Sequence, residues 1–185
     1  MSTAIFFASS TGNSDEVASK ISSALGEIEV FNLANTKVEK INEYDKIILG
    51  GSTWGDGELN DDWEDAWGDF CKLNLSNKTV ALFGLGDQES YSDEFCSALG
   101  EIYNQVVSSG ATVVGFTSTD GYHHDGSKAQ VGDKFVGLAI DEDNQSELTD
   151  KRIFLKSIKT KQQSTIKIVD FKRITKIKSL TDKIK

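Results

Sequence analysis

The sequence predicts a doubly wound, three-layer α/β sandwich, a five-stranded parallel sheet with helices on both faces. Three observations carry this expectation. Apolar runs of strand length recur along the chain. Within each run the apolar residues are consecutive, as in strands covered on both faces. Between the runs stand segments whose apolar residues keep helical spacing. Parallel neighbours need crossover connections, and right-handed crossovers place the helices on both sides of the sheet.

Residues 4–8 are the first such run, and it stops at the polar stretch 9–14. Val17, Ile21, Ala24 and Leu25 then recur at i, i+4, i+7 and i+8, which predicts an amphipathic helix. Residues 28–33 read as the second strand and 47–51 as the third. An acidic, aromatic helix is expected over 60–70, and the fourth strand over 79–83. Phe95, Leu99, Ile102 and Val106 mark the next helix, and 112–116 the fifth strand. A further apolar run covers 135–140, and Ser146 is a candidate cap for a last helix. Cys71 and Cys96 fall in helical patterns and are expected to be small, mostly buried thiols.

With 185 residues, 38% of them hydrophobic, the chain has the size and composition of one domain with its own core. No apolar run approaches the roughly 18 residues of a membrane helix. The first residues have no basic stretch ahead of an apolar one, which predicts no secretory leader. Two cysteines are too few for a disulfide framework or a zinc site.

Charge divides the chain. The formal total is −9, yet 12 of the 20 Lys and Arg and only 2 of the 29 Asp and Glu fall in residues 151–185. An acidic body repels nucleic acid and favours basic partners. The expected division is a domain over 1–162 and a basic extension over 163–185, helical or disordered. Ile166, Val169, Ile174, Ile177, Leu180 and Ile184 roughly keep helical spacing there, with Lys and Arg between them. Such a segment suits an acidic membrane or partner, suits the acidic body itself, or has no role.

Ligands in doubly wound sheets sit beyond the carboxyl ends of the strands, and three loops leave those ends here. The first, Ser9, Ser10, Thr11, Gly12, Asn13 and Ser14, offers hydroxyls and the free N–H groups of a helix start, which suit an anion as well as a capped turn. It contains no Lys or Arg, so it is not a Walker loop. The second, Thr53, Trp54, Gly55, Asp56, Gly57 and Glu58, carries a large aromatic between flexible positions. The third runs from Gly84 through Leu85, Gly86 and Asp87 to Tyr91 and carries a second aromatic. A phosphate cradle with two aromatics fits a flat, phosphorylated heterocycle, for which flavin mononucleotide (FMN) is the natural candidate.

These loops resemble those of the long-chain flavodoxins. Residues 9–14 are similar to that family's (S/T)-x-T-G-x-(S/T) phosphate loop. Thr53-Trp54 with Glu58-Leu59 resembles its tryptophan loop, and 84–91 its tyrosine loop. Thr119-Asp120-Gly121-Tyr122, Ser127-Lys128-Ala129 and the run from Phe135 to Asp143 resemble the insertion that splits the fifth strand in long-chain members. The likeness spans residues 3 to about 155. One departure is Ser52, where many members have proline before the Thr-Trp pair.

The resemblance implies a soluble, monomeric, low-potential one-electron carrier that shuttles noncovalently bound FMN between semiquinone and hydroquinone, without substrate turnover of its own. It implies that residues 9–14 hold the phosphate and that Trp54 and Tyr91 sandwich the ring. Asp87 with neighbouring backbone at Leu85 and Gly86 would meet the ring's polar edge, and Asp143 the ribityl chain. A flipped Gly55 carbonyl would accept from the protonated ring nitrogen, with Asp56 and Gly57 completing the loop. Implied partners are basic redox proteins, namely NADPH-dependent flavodoxin reductases and flavodoxin-dependent oxidoreductases, in the cytoplasm or an organelle stroma. Two alternatives share the fold: an NAD(P)H:quinone oxidoreductase and a flavin-free signalling module. The absence of a second nucleotide-binding motif weighs against the first. Hydroxyls where a receiver module needs an acidic cluster weigh against the second.

Overall fold

The computed structural model describes residues 2–153 of the chain. The expected boundary at 162 and the basic extension 163–185 lie outside them. β1 (Thr3–Phe7) leads into α1 (Asn13–Leu25), followed by β2 (Glu29–Asn32) and a 3-10 turn over Val38–Glu43. β3 (Lys46–Ser52), α2 (Asp61–Phe70) and β4 (Thr79–Leu85) come next. A 3-10 turn at Ser92–Glu94 then precedes α3 (Ser97–Ser108) and β5 (Thr112–Val114).

The sheet order is β2-β1-β3-β4-β5 with every pairing parallel, as the sequence predicts. The order reverses after β1, and the switch point there opens a crevice at the carboxyl ends.

The consecutive apolar runs follow from the pleat. Ala4, Phe6 and Ala8 face one core with Ile47, Leu49 and Trp63, while Ile5 and Phe7 face a second core with Val17, Ile21 and Ile48. Phe6 and Phe7 are both buried, each contributing about 1.5–3 kcal/mol relative to exposure. α1 stops where Gly26 takes φ 93° and donates to the Ser22 and Ser23 carbonyls.

The fifth strand is split. β5 pairs the start of β4 through Thr112, Val113 and Val114, and Gly115, at φ 89°, turns the chain away. A small antiparallel sheet follows, with β6 (Thr117–Ser118), β7 (Gln130–Val131) and β8 (Lys134–Phe135) in the order β6-β8-β7. β9 (Leu138–Ile140) then rejoins the same edge of β4 opposite Phe83, Gly84 and Leu85. The single apolar run 135–140 therefore serves two sheets.

Three sequence expectations are corrected. α3 begins at Ser97 rather than at Phe95, because Cys96 stands at φ 55° in the left-handed region. Cys71 follows α2 and is exposed, whereas Cys96 is buried. Ser146 does not cap a helix; it opens a 3-10 turn over Ser146–Leu148, ahead of α4 (Thr149–Ile153), and Gln145 precedes it. Among the described residues no helix is long and apolar enough to cross a membrane.

Candidate cofactor site

Beyond the carboxyl ends of β1, β3, β4 and β9 lies a cleft of about 320 Å³. Thr11 and Asn13 line it from the first loop. Thr53, Trp54 and Gly55 line it from the second, and Leu85, Gly86, Asp87 and Tyr91 from the third. Asp143 closes it from the loop after β9, together with Ser52 and Glu142, which were not among the expected site residues. Ser9, Ser10, Gly12, Ser14, Asp56 and Gly57 do not line this space.

The first loop is folded by its own polar groups. Gly12, at φ 96°, stands just before α1, a conformation that favours glycine. Its N–H donates to Ser9 Oγ at 3.2 Å. Asn60 precedes α2 in the usual capping position, yet its side chain does not cap that helix. Its Nδ2 instead donates to Ser10 Oγ at 3.3 Å, so one amide ties the first loop to the second. The Ser14 hydroxyl is buried and has no hydrogen-bond partner among the described residues. An unmatched hydroxyl at a helix N-terminus, where backbone N–H groups are also free, fits a phosphate.

The second loop is pinned at its ends. The Trp54 N–H donates to the Glu58 carbonyl at 3.0 Å, and the Glu58 N–H donates to the Trp54 carbonyl at 2.7 Å. Gly55, Asp56 and Gly57 arch between them, with φ 48° at Gly55 and 87° at Gly57. Trp54 is 41% exposed, so its ring is not folded into the core. Its indole N–H donates to Ser52 Oγ at 2.8 Å. The buried tryptophan is Trp63, whose Nε1–H donates to the Gly50 carbonyl at 2.9 Å. Thr53 Oγ1 accepts from the Ala98 N–H at 3.3 Å, joining this loop to the first turn of α3.

The third loop is held by a carboxylate. Asp87 Oδ1 accepts from the Glu89 N–H at 2.9 Å, the Ser90 N–H at 2.8 Å and Asn144 Nδ2 at 2.8 Å. Burial favours the neutral acid, but hydrogen bonds from Ser90, Asn144 and Glu89 prevail and hold the Asp87 carboxyl down at about 2. Tyr91 is 62% exposed beside it. No Lys or Arg is among the residues lining the cleft, whereas Asp87, Glu142 and Asp143 bring carboxyl groups.

His123 and His124 belong to the inserted segment. The His123 N–H donates to Gln88 Oε1 at 2.7 Å, and the His124 ring packs on Phe135 with centroids 5.1 Å apart. Burial pushes the Cys96 thiol far up, so it stays protonated and unreactive.

The family model described as flavodoxin matches residues 5–154. The chain belongs to the flavodoxin family. Among curated flavodoxins, that of Helicobacter pylori is 47% identical over 149 residues, spanning 80% of this chain and 90% of its own. Flavodoxin 1 of Escherichia coli is 45% identical over 154 residues, spanning 82% and 88%. Among solved structures, the Fusobacterium nucleatum flavodoxin bound to flavin mononucleotide superposes with a TM-score of 0.78 at 35% identity, covering 83% of this chain and 93% of its own. The flavodoxin family is one of FMN-binding electron-transfer proteins, not of enzymes.

Sequence reasoning did not single out Ser52, Asn60 or Asn144 as parts of the site. Asn60 and Asn144 act from outside the loops they hold, and Ser52 acts on the neighbouring Trp54. The available signals are the Asp141-x-x-Asn144 spacing, typical of a self-bonded turn, and the departure from proline at Ser52.

Proposed function

We propose that this chain carries single electrons on FMN seated noncovalently in the cleft. The observation that carries the reading is the pair of exposed aromatics, Trp54 and Tyr91, on the walls of one cleft whose third side is a cation-free anion loop. When bound, FMN supplies one-electron chemistry between its semiquinone and hydroquinone states.

The chain's own residues set the direction of that chemistry. The residues of 9–14 hold the phosphate by hydroxyls and amides, so its charge is dispersed but not cancelled. Trp54 and Tyr91 cover the two ring faces and exclude water. Asp87 with the Leu85–Gly86 backbone orients the ring edge, and Asp143 stands toward the ribityl chain. Carboxyl groups around the cleft, together with the exposed Asp56, Glu58, Asp61, Glu64 and Asp65, disfavour a further negative charge inside it. That makes the last electron a strongly reducing one.

The bonds between Trp54 and Glu58 leave three residues free to turn between fixed ends. With FMN in the cleft, a Gly55 carbonyl turned inward would offer an acceptor to an N–H on the flavin ring. Glycine keeps that turn cheap.

The acidic rim suits basic redox partners, such as NADPH-dependent reductases and flavodoxin-dependent oxidoreductases, in small, charge-steered contacts. The cytoplasm or an organelle stroma is the setting in which such partners and a monomeric carrier meet.

The deciding experiment is stepwise anaerobic reduction of the FMN-loaded protein, followed by visible absorption. A long-lived blue neutral radical supports the one-electron carrier. Direct bleaching would point to two-electron chemistry, as in a quinone reductase. A protein that takes up no FMN would end the reading.

A further inference from the structure

Asp141 is the first residue past β9 and is fully buried. Among the described residues, only neutral amide groups donate hydrogen bonds to its carboxyl. The Gln88 N–H and Nε2 reach Oδ2 at 3.2 and 2.7 Å, and the Asn144 N–H reaches Oδ1 at 3.0 Å. The Asn144 side-chain amide lies 3.1 and 3.0 Å from the two Asp141 oxygens. The same Nδ2 lies 2.8 Å from Asp87 Oδ1. An NH2 group has two hydrogens, so one serves Asp87 and the other is shared across the Asp141 carboxyl.

Beside the Gln88 donors, this amide joins two walls of the cleft by bonding a carboxyl group on each. Asp87 begins the turn that carries Tyr91, and its carboxyl closes that turn on the Glu89 and Ser90 N–H groups. Asn144 ends the short segment that carries Glu142 and Asp143 into the cleft. Gln88 extends the link outward, since its Oε1 accepts from the His123 N–H of the inserted segment. Without the amide, two carboxyl groups that both accept from it would face each other across the gap it fills. The Gln88 donors to Asp141 and the Gly86 N–H to the Ile140 carbonyl would still join the two loops. Asp87 would nevertheless lose its donor from the Asp143 side, and like charge between the two carboxyl groups would push them apart.

We infer that Asn144 is a positioning residue for the cofactor cleft, setting the spacing between the Tyr91 loop and the Glu142–Asp143 segment by holding Asp87 and Asp141 on one amide. Asp141 is the buried anchor of that bridge, and Gln88 carries it to the inserted segment. The inference rests on the proposal that the cleft binds FMN. It extends that proposal by assigning the cleft's width to a residue that does not line it.

The test compares wild type with Asn144→Ala and Asn144→Ser, measuring FMN dissociation by flavin fluorescence, flavin midpoint potentials, and unfolding of the FMN-free proteins. Alanine removes both donated bonds, and serine can restore one. The expected result is a dissociation constant raised about tenfold by alanine, the loss of a charge-assisted bridge. Serine should give a smaller rise, and both variants shifted potentials. A flavin affinity within twofold of wild type together with unshifted potentials would overturn the inference, even if stability fell, because Asn144 would then be structural only. Failure of both variants to fold would overturn it too, by placing the residue in the folding core. Failure of wild type itself to bind FMN would instead remove the functional proposal.

Discussion

The indole N–H of Trp54 donates to the hydroxyl of Ser52, two residues back on the last position of β3, at 2.8 Å. The exposed ring therefore has one polar tether to the rigid sheet, and Ser52 is the residue that departs from the family's proline. We predict that Ser52→Ala weakens FMN binding between about twofold and tenfold, the range for one lost hydrogen bond. Flavin fluorescence titration measures this, and an unchanged dissociation constant would show that the tether does not orient the ring.

Gly55 stands at φ 48°, and a Cβ there would lie 2.7 Å from Glu58 Oε2. The β-branched Gly55→Val disfavours that backbone by about 1–3 kcal/mol and stiffens the arch. The expected outcome is a lower maximum yield of the one-electron-reduced flavin in a redox titration. The same yield as wild type would remove the peptide flip from the account.

Asp87 links stability to pH. Its folded-state value, about 2, lies below the ordinary carboxyl value of 3.8. Its ionised form thus stabilises the fold above the unfolded value, and that contribution disappears as pH falls from about 4 toward 2. Asp87 is partly exposed, so solvent screening limits the effect to about 1 kcal/mol. Asp87→Asn should be less stable than wild type to urea at pH 7 and no less stable near pH 2. A pH-independent gap would contradict the linkage.

Gly100 on α3 has no room for a side chain. A Cβ would fall 2.2 Å from the Lys128 carbonyl oxygen, where the inserted segment crosses the helix. We expect Gly100→Ala to destabilise the protein by about 1–3 kcal/mol through overpacking against backbone. Chemical denaturation measures the loss, and protease sensitivity should rise within residues 115–137 first. A variant as stable as wild type would mean that the segment moves freely on α3.

The acidic rim predicts steered association. Electron-transfer rates with a basic reductase should fall steeply between low and physiological ionic strength, where the screening length shortens to about 8 Å. Stopped-flow measurements across a salt series test this. A flat series would remove steering from the partner proposal.

Much of this architecture was legible because its strands are buried on both faces. Residues 4–8 and 47–51 read as continuous apolar runs for that reason, and the loops that follow them stood out by contrast. The split strand was harder to see. The run 135–140 looks like one strand, yet Lys134–Phe135 and Leu138–Ile140 belong to different sheets, because Gly137 packs its backbone against Leu82 where no side chain fits. The start of α3 is hidden in the sequence because Phe95 fits the apolar spacing of the helix, while the left-handed turn at Cys96 carries no signature in a non-glycine residue. The exposed site aromatics were readable from their loops. The groups that hold those loops still were not. Asn60 and Asn144 act across gaps of 50 and 57 residues that only folding closes. Ser52, although two residues from Trp54, reads from sequence as a departure from the family's proline rather than as a partner of the indole.

The two halves of the split strand bear on how this fold tolerates change. Val114 stands opposite Ala81 and Leu138 opposite Phe83, so the ladder on β4 advances as though only one residue separated them. The register does not count residues 115–136 at all. This is also the outer edge of the sheet, where a strand has a single neighbour and a detour displaces no other pairing. The position behaves as a port in an otherwise closed scaffold. Strand pairing sets no limit on the length of chain there; the limit is packing, because Ala129, Phe135 and Val136 of the detour are buried in the main core.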